Sequence, residues 1–131
     1  MSKAFIIFLV DDDPEDQQIL EEYLFKQNEN IVFYRAASGK EAIDLLNGDN
    51  SLAPDLMVLD FKMPLMGALD ILKYFNEKQS FKSTPKVVWS TSDEISHRQI
   101  CIDNGAMAYF VKPDSPAGLT ALAKDLLKLI S

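Results

Sequence analysis

The sequence predicts an α/β fold in which one parallel β-sheet carries helices on both of its faces. Five short, strongly apolar segments alternate along the chain with five segments whose apolar residues recur at helical spacing. The apolar segments are nearly continuous, which is typical of parallel strands buried on both faces. No internal repeat, low-complexity segment or linker interrupts this alternation. We therefore expect a single domain, residues 1–131, built on one five-stranded sheet.

The strands are predicted directly from the apolar runs. In chain order they are expected at Ala4–Val10, Ile31–Tyr34, Asp55–Asp60, Val87–Trp89 and Met107–Val111. The third strand is the clearest, because its four consecutive apolar residues are too few for a helix. It is introduced by Pro54 and ends on the carboxylate of Asp60. Ligands of open α/β sheets bind at the carboxyl ends of the strands, so a charge at this position is a candidate functional group.

Five helices are predicted from start signals and apolar spacing. The expected first residues and their supporting partners are Asp13 with Pro14, Ser38 with Glu41, Thr91 with Glu94, and Ser115 with Pro116. The inward stripes are expected to include Ile19, Leu20, Tyr23 and Leu24; Ala42, Leu45 and Leu46; Leu65, Leu69, Leu72 and Phe75; and Leu119, Leu122, Leu126 and Ile130. Gly48 and Gly105 are expected to end the second and fourth helices. Polar loops are predicted at Asn47–Pro54 and Gln79–Lys86. The fourth helix has no clean apolar stripe, which indicates a segment that is loosely held or that meets a partner.

Composition excludes several classes of function. The 131 residues suit one domain, and a hydrophobic fraction of 47% is ordinary for a globular protein. The net charge of -7 argues against direct binding to nucleic acid, which requires a Lys/Arg face. No apolar run is long enough to span a bilayer, and we expect a cytoplasmic protein without a membrane partner. The single cysteine, Cys101, cannot form an internal disulfide.

The polar residues that terminate the predicted strands form a chemically coherent set. Asp11 and Asp12 follow the first strand, Asp60 ends the third, Ser90 and Thr91 follow the fourth, and Lys112 follows the fifth. In a parallel sheet these strand ends lie on one edge. Clustered carboxylates require a counter-ion, and their hard oxygens suit Mg²⁺. The set could support phosphoryl transfer to a carboxylate, with Mg²⁺ and Lys112 neutralising the charge on the transferred oxygens.

Four stretches of the sequence together resemble a known family. They are Leu9–Pro14, Pro54–Asp60 with Met63 and Pro64, Val87–Ser90, and Tyr109–Pro113. With the separations between them, they make the chain similar to a response regulator receiver domain of the chemotaxis-protein type, over essentially its whole length. The resemblance implies a doubly wound, flavodoxin-like (βα)5 fold with strand order 2-1-3-4-5. It also implies a stand-alone receiver, because only one predicted helix follows Lys112 and no output domain does.

The resemblance also implies a role for each matching residue. Asp60 would accept a phosphoryl group from a sensor histidine kinase, and Mg²⁺ would be held by Asp11, Asp12, Asp60 and the backbone carbonyl of Lys62. Ser90 and Lys112 would bind phosphoryl oxygens. The resemblance further implies that Thr91 lies beside the phosphoryl site, that Tyr109 is the switch aromatic and that the peptide bond before Pro113 is cis. The output surface would comprise the fourth helix, fifth strand and fifth helix.

Some residues depart from the family pattern or have a simpler interpretation. Thr91 stands where a very small residue is usual and would narrow access to Asp60. Lys62 and Ser92 occupy variable positions that help to set the lifetime of the acyl phosphate. Asp13 is better explained as a helix N-cap than as a metal ligand. His97, the only histidine, lies in a polar stretch and is predicted to be solvent-exposed.

Two other classes of function are weighed against a phosphorylated switch. A pseudo-receiver acting as a constitutive interaction module would lack at least one pocket residue, yet all are present. A phosphatase with an aspartate nucleophile, of the haloacid-dehalogenase type, needs an acid two residues after the nucleophile, where this chain has Lys62. We therefore expect a signalling switch with at most self-phosphorylation and slow autodephosphorylation. The sequence does not identify the kinase, the stimulus or the downstream protein, and it leaves open a phosphorylation-dependent homodimer.

Overall fold

The computed structural model describes residues 4–48 and 52–130 of the chain. Five strands and five helices alternate strictly. In chain order they are β1 Phe5–Val10, α1 Pro14–Gln27, β2 Ile31–Ala36, α2 Gly39–Gly48, β3 Leu56–Asp60, α3 Ala68–Lys78, β4 Lys86–Ser90, α4 Ile95–Asp103, β5 Ala108–Val111 and α5 Pro116–Lys128. The predicted alternation is confirmed. Residues 49–51 of the predicted polar loop lie outside the described residues.

The strands form one parallel sheet in the order β2-β1-β3-β4-β5. This confirms the flavodoxin-like arrangement. The chain reverses its direction of winding between β1 and β3, which are hydrogen-bonded neighbours. Their carboxyl ends, with that of β4, therefore border the crevice in which ligands bind in such sheets.

Alternating side chains of the strands bury two separate cores, one on each face of the sheet. On the first face, residues such as Phe8, Leu59 and Val88 form a core with Leu72 of α3 and Cys101 of α4. On the second face a different set packs against α1 and α5, and it includes Leu9, Val58, Trp89, Leu20 and Leu126. Every residue of β3 and β4 is buried, because both strands are covered on both sides. Over residues 4–48 and 52–130, no helix is long and apolar enough to cross a membrane.

Three of the predicted helix starts are confirmed by their hydrogen bonds. The Asp13 carboxylate accepts from the backbone N–H groups of Glu15 and Asp16, with Pro14 as the first residue of α1. Ser38 Oγ accepts from the N–H of Glu41 at 3.1 Å, and Ser115 Oγ accepts from the N–H of Gly118 at 3.1 Å. These bonds satisfy N–H groups that the first turn of a helix leaves unpaired.

The placement of Leu65 on the stripe of α3 and the predicted start of α4 were wrong. Leu65 is fully exposed in a left-handed conformation (φ 69°), and α3 begins only at Ala68. The N-cap of α4 is Glu94 rather than Thr91. Ser92 donates its N–H to Ser90 Oγ, so the residues after β4 fold back over that hydroxyl before the helix can begin. Ile19 and Leu45 are also exposed, although their spacing placed them on inward stripes.

Helix α4 is held more loosely than its neighbours. The whole of α4 lies within the described residues, and only Cys101 on it is buried. Ile95 is 80% exposed, and Ile100 and Ile102 are also exposed. The weak apolar patterning of this segment therefore corresponds to a helix with little contact to the core.

Candidate functional site

Three carboxylates converge where β1 and β3 end. One oxygen from each of Asp11, Asp12 and Asp60 lies within 4.8 Å of the others. Asp11 and Asp60 are brought together because Val10 and Leu59, the residues before them, are paired in the sheet. Asp11 is completely buried and Asp60 is 5% exposed, whereas Asp12 is exposed to solvent. Such a set of hard oxygen ligands, open on one side to water, fits a divalent cation of the Mg²⁺ type.

Lys112 places its ammonium beside this cluster. Its Nζ lies 2.9 Å from Asp11 Oδ2, 2.8 Å from Asp16 Oδ2 and 3.6 Å from Asp60 Oδ1. The N–H of Lys112 donates to the Ser90 carbonyl oxygen at 2.7 Å, which fixes the backbone after β5 against the end of β4. The ammonium also lies 4.8 Å from the centre of the Trp89 ring. A cation therefore sits within reach of any oxygen added to Asp60.

Asp16, which contacts Lys112, was not predicted from the sequence as a site residue. A signal for it existed in the spacing of helix α1. Asp16 precedes Leu20 by four residues and Leu24 by eight, and both leucines are fully buried. Residues at this spacing share one helix face, so Asp16 had to point towards the sheet.

The electrostatics of the pocket follow from burial and from crowding of like charges. Burial raises the pKa of Asp60 to about 7 from its ordinary value of 3.8, and the negative charge of Asp11 is the second contribution to this rise. The positive charge of Lys112 acts in the opposite direction. Burial also raises the pKa of Asp11. Burial alone would lower the pKa of Lys112, but hydrogen bonds to Asp16 and Asp11 raise it above its ordinary value. The lysine is therefore a permanent cation, whereas Asp60 is held in the pocket at an electrostatic cost that a bound cation would relieve.

The electrostatic cost of burying the Asp60 carboxylate predicts that the stability of the metal-free protein depends on pH. Because folding raises the pKa of Asp60, the group contributes most to stability below its unfolded pKa of 3.8, and that contribution is lost as the pH rises through about 7. Asp60→Asn removes the buried charge, and we expect it to raise the free energy of unfolding by about 1–3 kcal/mol near pH 8. The gain should shrink near pH 5. Denaturant unfolding in a chelator at both pH values measures it, and an equal gain at both would contradict this account.

Ser90 and Tyr109 are connected through Ser92. Ser90 is 2% exposed, and its hydroxyl oxygen accepts from the Ser92 N–H at 3.1 Å. Tyr109 is 3% exposed, and its hydroxyl donates to the Ser92 carbonyl oxygen at 2.8 Å. A movement of the Ser90 hydroxyl would therefore act on the segment that holds Tyr109 inward. Thr91, between Ser90 and Ser92, is exposed.

His97 belongs to this arrangement, and the prediction that it is solvent-exposed was wrong. Its side chain is 25% exposed, and its ring centre lies 4.5 Å from that of Phe61. Nδ1 lies 2.7 Å from Ser92 Oγ, and Nε2 lies 3.2 Å from Glu94 Oε2. The polar neighbours of His97 in the sequence suggested a solvated face. They gave no sign that the loop after β3 would place Phe61 over the imidazole.

The predicted cis bond before Pro113 was also wrong. No peptide bond among residues 4–48 and 52–130 is cis, so Lys112 and Pro113 are joined in the trans form. The trans form of an X–Pro bond is intrinsically favoured by about 0.5–1 kcal/mol. In this form Pro113 lies close to Gly118 at the start of α5. Lys62 is exposed in the loop between β3 and α3, and the metal-binding role of its carbonyl stays a prediction.

A comparison of the chain with known protein families agrees with this arrangement of residues. Residues 7–124 match the model of the response regulator receiver domain. The chain belongs to this family. The matched range contains every pocket residue described above, from Asp11 to Lys112.

Related receivers come from plants and bacteria. The two-component response regulator ARR8 of Arabidopsis thaliana is 29% identical over 95% of this chain, which spans 61% of the length of ARR8. The phosphorylated cyanobacterial phytochrome response regulator RcpA is 24% identical with a TM-score of 0.87, over 97% of this chain and 94% of RcpA. The Mn²⁺-bound form of the response regulator Rcp1 is 22% identical with a TM-score of 0.76, over 92% of this chain and 90% of Rcp1. The two structures show that the fold is shared.

Family membership identifies this chain as a receiver domain of the response regulator type. Receiver domains are signalling switches of two-component systems, and response regulators are phosphorylated by sensor histidine kinases. Receiver domains bind Mg²⁺ or Mn²⁺ at an acidic pocket, and this chain has a cluster of three aspartates at the corresponding edge of its sheet.

Proposed function

We propose that this receiver accepts a phosphoryl group on Asp60 from a sensor histidine kinase and passes the signal on through protein contact. The observation that carries the proposal is the position of Asp60. It ends the central strand within 4.8 Å of Asp11 and Asp12 oxygens and 3.6 Å from the Lys112 ammonium. A carboxylate nucleophile flanked by metal ligands on one side and a cation on the other is suited to phosphoryl transfer.

In the proposed reaction, an oxygen of Asp60 forms a bond to phosphorus as the bond from phosphorus to the donor's imidazole nitrogen breaks. The electron pair stays on the imidazole. Asp11, Asp12, Asp60 and the Lys62 carbonyl would hold Mg²⁺, which would neutralise charge on the transferred oxygens. Lys112 would neutralise another of these oxygens, and Ser90 would donate its hydroxyl to one of them. The mixed charge of the pocket supports this assignment, since the carboxylates alone would repel a phosphoryl group.

We propose that the output surface lies on α4, β5 and α5. Ile95, Ile102, Met107 and Val111 are exposed large apolar side chains on or beside α4 and β5. The route to this surface would run from Ser90 through Ser92 to Tyr109, whose carbonyl oxygen accepts from Arg98 of α4 at 3.2 Å. Phosphorylation would shift the population of the two states of this segment. A downstream protein, or a second copy of the chain, would bind there.

The first experiment is a titration of Mg²⁺ and then of beryllofluoride, a phosphoryl mimic, followed by Trp89 fluorescence. Trp89 is the only tryptophan, and Lys112 lies 4.8 Å from its ring centre, so a shift of the ammonium should alter its emission. We expect a saturable, metal-dependent change that Asp60→Asn abolishes. A folded wild-type protein that neither responds nor binds metal by calorimetry would overturn the proposal in favour of a constitutive interaction module.

A further inference from the structure

The Lys112 ammonium is shared with a carboxylate that lies outside the acidic cluster. Asp16, from the first turn of α1, contacts Nζ at 2.8 Å, closer than Asp60 at 3.6 Å. The second of these distances exceeds hydrogen-bond range, so the ammonium is drawn away from Asp60. Lys112 is 11% exposed and Asp16 is 30% exposed, so solvent screens their ion pair only in part.

Asp11, the other carboxylate that accepts a hydrogen bond from Lys112, is also a candidate metal ligand, whereas Asp16 is not in the acidic cluster. Asp11 belongs to the cluster that would hold Mg²⁺, and a bound cation would compete for its oxygens. Once metal occupies the pocket, Asp16 remains a carboxylate that holds the Lys112 ammonium by an ion pair. This ammonium lies beside the position that a phosphoryl group on Asp60 would take.

We propose that Asp16 is a positioning residue that competes with the phosphoryl group on Asp60 for the Lys112 ammonium. This inference rests on the proposed function of Asp60. Asp16 acts through Lys112 and touches no reacting atom. Its negative charge weakens the hold of the pocket on phosphoryl oxygens, so it limits how firmly the phosphorylated state is held.

The direction of the effect follows from the charges. In Asp16→Asn, the amide is a weaker acceptor for the ammonium than the carboxylate, and Lys112 is freer to approach Asp60. One negative charge beside an incoming anion is also removed. A partly exposed ion pair of this kind contributes less than a fully buried one, and its loss corresponds to about a threefold to tenfold change in affinity. Asp16→Glu keeps the charge and should retain most of the competition.

The test measures beryllofluoride affinity in saturating Mg²⁺, by calorimetry and by Trp89 fluorescence. We expect Asp16→Asn to bind about threefold to tenfold more tightly than wild type, with Asp16→Glu close to wild type. Glu15→Gln is the matched control, because it removes the same charge from the same turn of α1 at an exposed side chain. An Asp16→Asn affinity equal to that of Glu15→Gln, or weaker than wild type, would overturn the proposal.

A second measurement separates this inference from the proposed function. In the absence of metal and beryllofluoride, Asp16→Asn should change the Trp89 emission and Glu15→Gln should not, because only Asp16→Asn removes one of the carboxylates that position Lys112 above the indole. Failure of wild type to bind beryllofluoride would overturn both the proposed function and the competition. A wild type that binds, with Asp16→Asn unchanged in affinity and emission, would overturn the competition alone.

Discussion

Replacing Asp60 with asparagine is expected to abolish covalent phosphorylation of the domain, with the rate falling roughly a thousandfold or more. An amide is a poor nucleophile towards phosphorus, and the substitution also removes a carboxylate from the proposed metal site. The protein would be incubated with Mg²⁺ and acetyl phosphate, and intact mass spectrometry would detect the mass of one added phosphoryl group. This readout requires no knowledge of the cognate kinase.

A matched control is available at the residue that directly follows Asp12 of the metal cluster. Asp13→Asn makes the same chemical change near the pocket, yet Asp13 caps α1 through its side-chain oxygen, and asparagine caps helices equally well. We expect Asp13→Asn to be phosphorylated at close to the wild-type rate. Phosphorylation of Asp60→Asn at an undiminished rate would show that another residue is the acceptor.

Gly67→Ala is expected to damage both the stability of the fold and the binding of metal. A Cβ at residue 67 would overlap the backbone carbonyl oxygen of Phe61, and a backbone atom cannot be displaced without moving the loop between β3 and α3. The φ of Gly67 is an ordinary -92°, so the close approach rather than the backbone angle requires glycine. We expect a loss of about 1–3 kcal/mol in the free energy of unfolding. Because Lys62 lies in this loop, Mg²⁺ affinity should fall as well.

Gly48→Ala provides the comparison for that substitution. Among residues 4–48 and 52–130, no atom lies within 4 Å of a Cβ built at Gly48, at the end of α2. We expect this variant to match wild type within about 0.5 kcal/mol and to bind metal normally. Denaturant unfolding and calorimetry measure the two effects. Wild-type stability and metal affinity in Gly67→Ala would mean that the loop adapts freely and does not fix the Lys62 carbonyl.

The fold and the acidic pocket were predictable because both depend on where strands end. A buried parallel strand is mostly apolar, so a charge at or just after its last apolar residue, such as Asp60 or Lys112, marks the end of the strand in the sequence. Because the strands are parallel, the charged residues at their carboxyl ends meet at one edge of the sheet. Alternation and strand ends are local patterns, and the structure confirms the sheet order that the family resemblance implied.

The features that escaped prediction depend on how loops return to the strands. The capping pattern at Thr91 and Glu94 was sound locally, but the bond between Ser92 and Ser90 Oγ displaced the start of α4. Leu65 matched the spacing of α3, yet the chain had first to turn so that Gly67 could approach Phe61. The contact of Phe61 with His97 joins the loop after β3 to α4, and these two segments are far apart in the chain. No local pattern encodes such contacts.

Trp89 and Ser90 are consecutive residues, yet they serve opposite sides of the sheet. Trp89 packs with α1 and α5, beneath Lys112, whereas Ser90 faces the side of Tyr109 and α4. In the proposed switch, the contact of Trp89 with Lys112 and the bond of Ser90 to Ser92 therefore lie on opposite faces of the sheet that meet across one peptide bond. We therefore expect a substitution that alters the packing of Trp89 to affect both Lys112 and α5, and a substitution on α4 to act on the side of Tyr109.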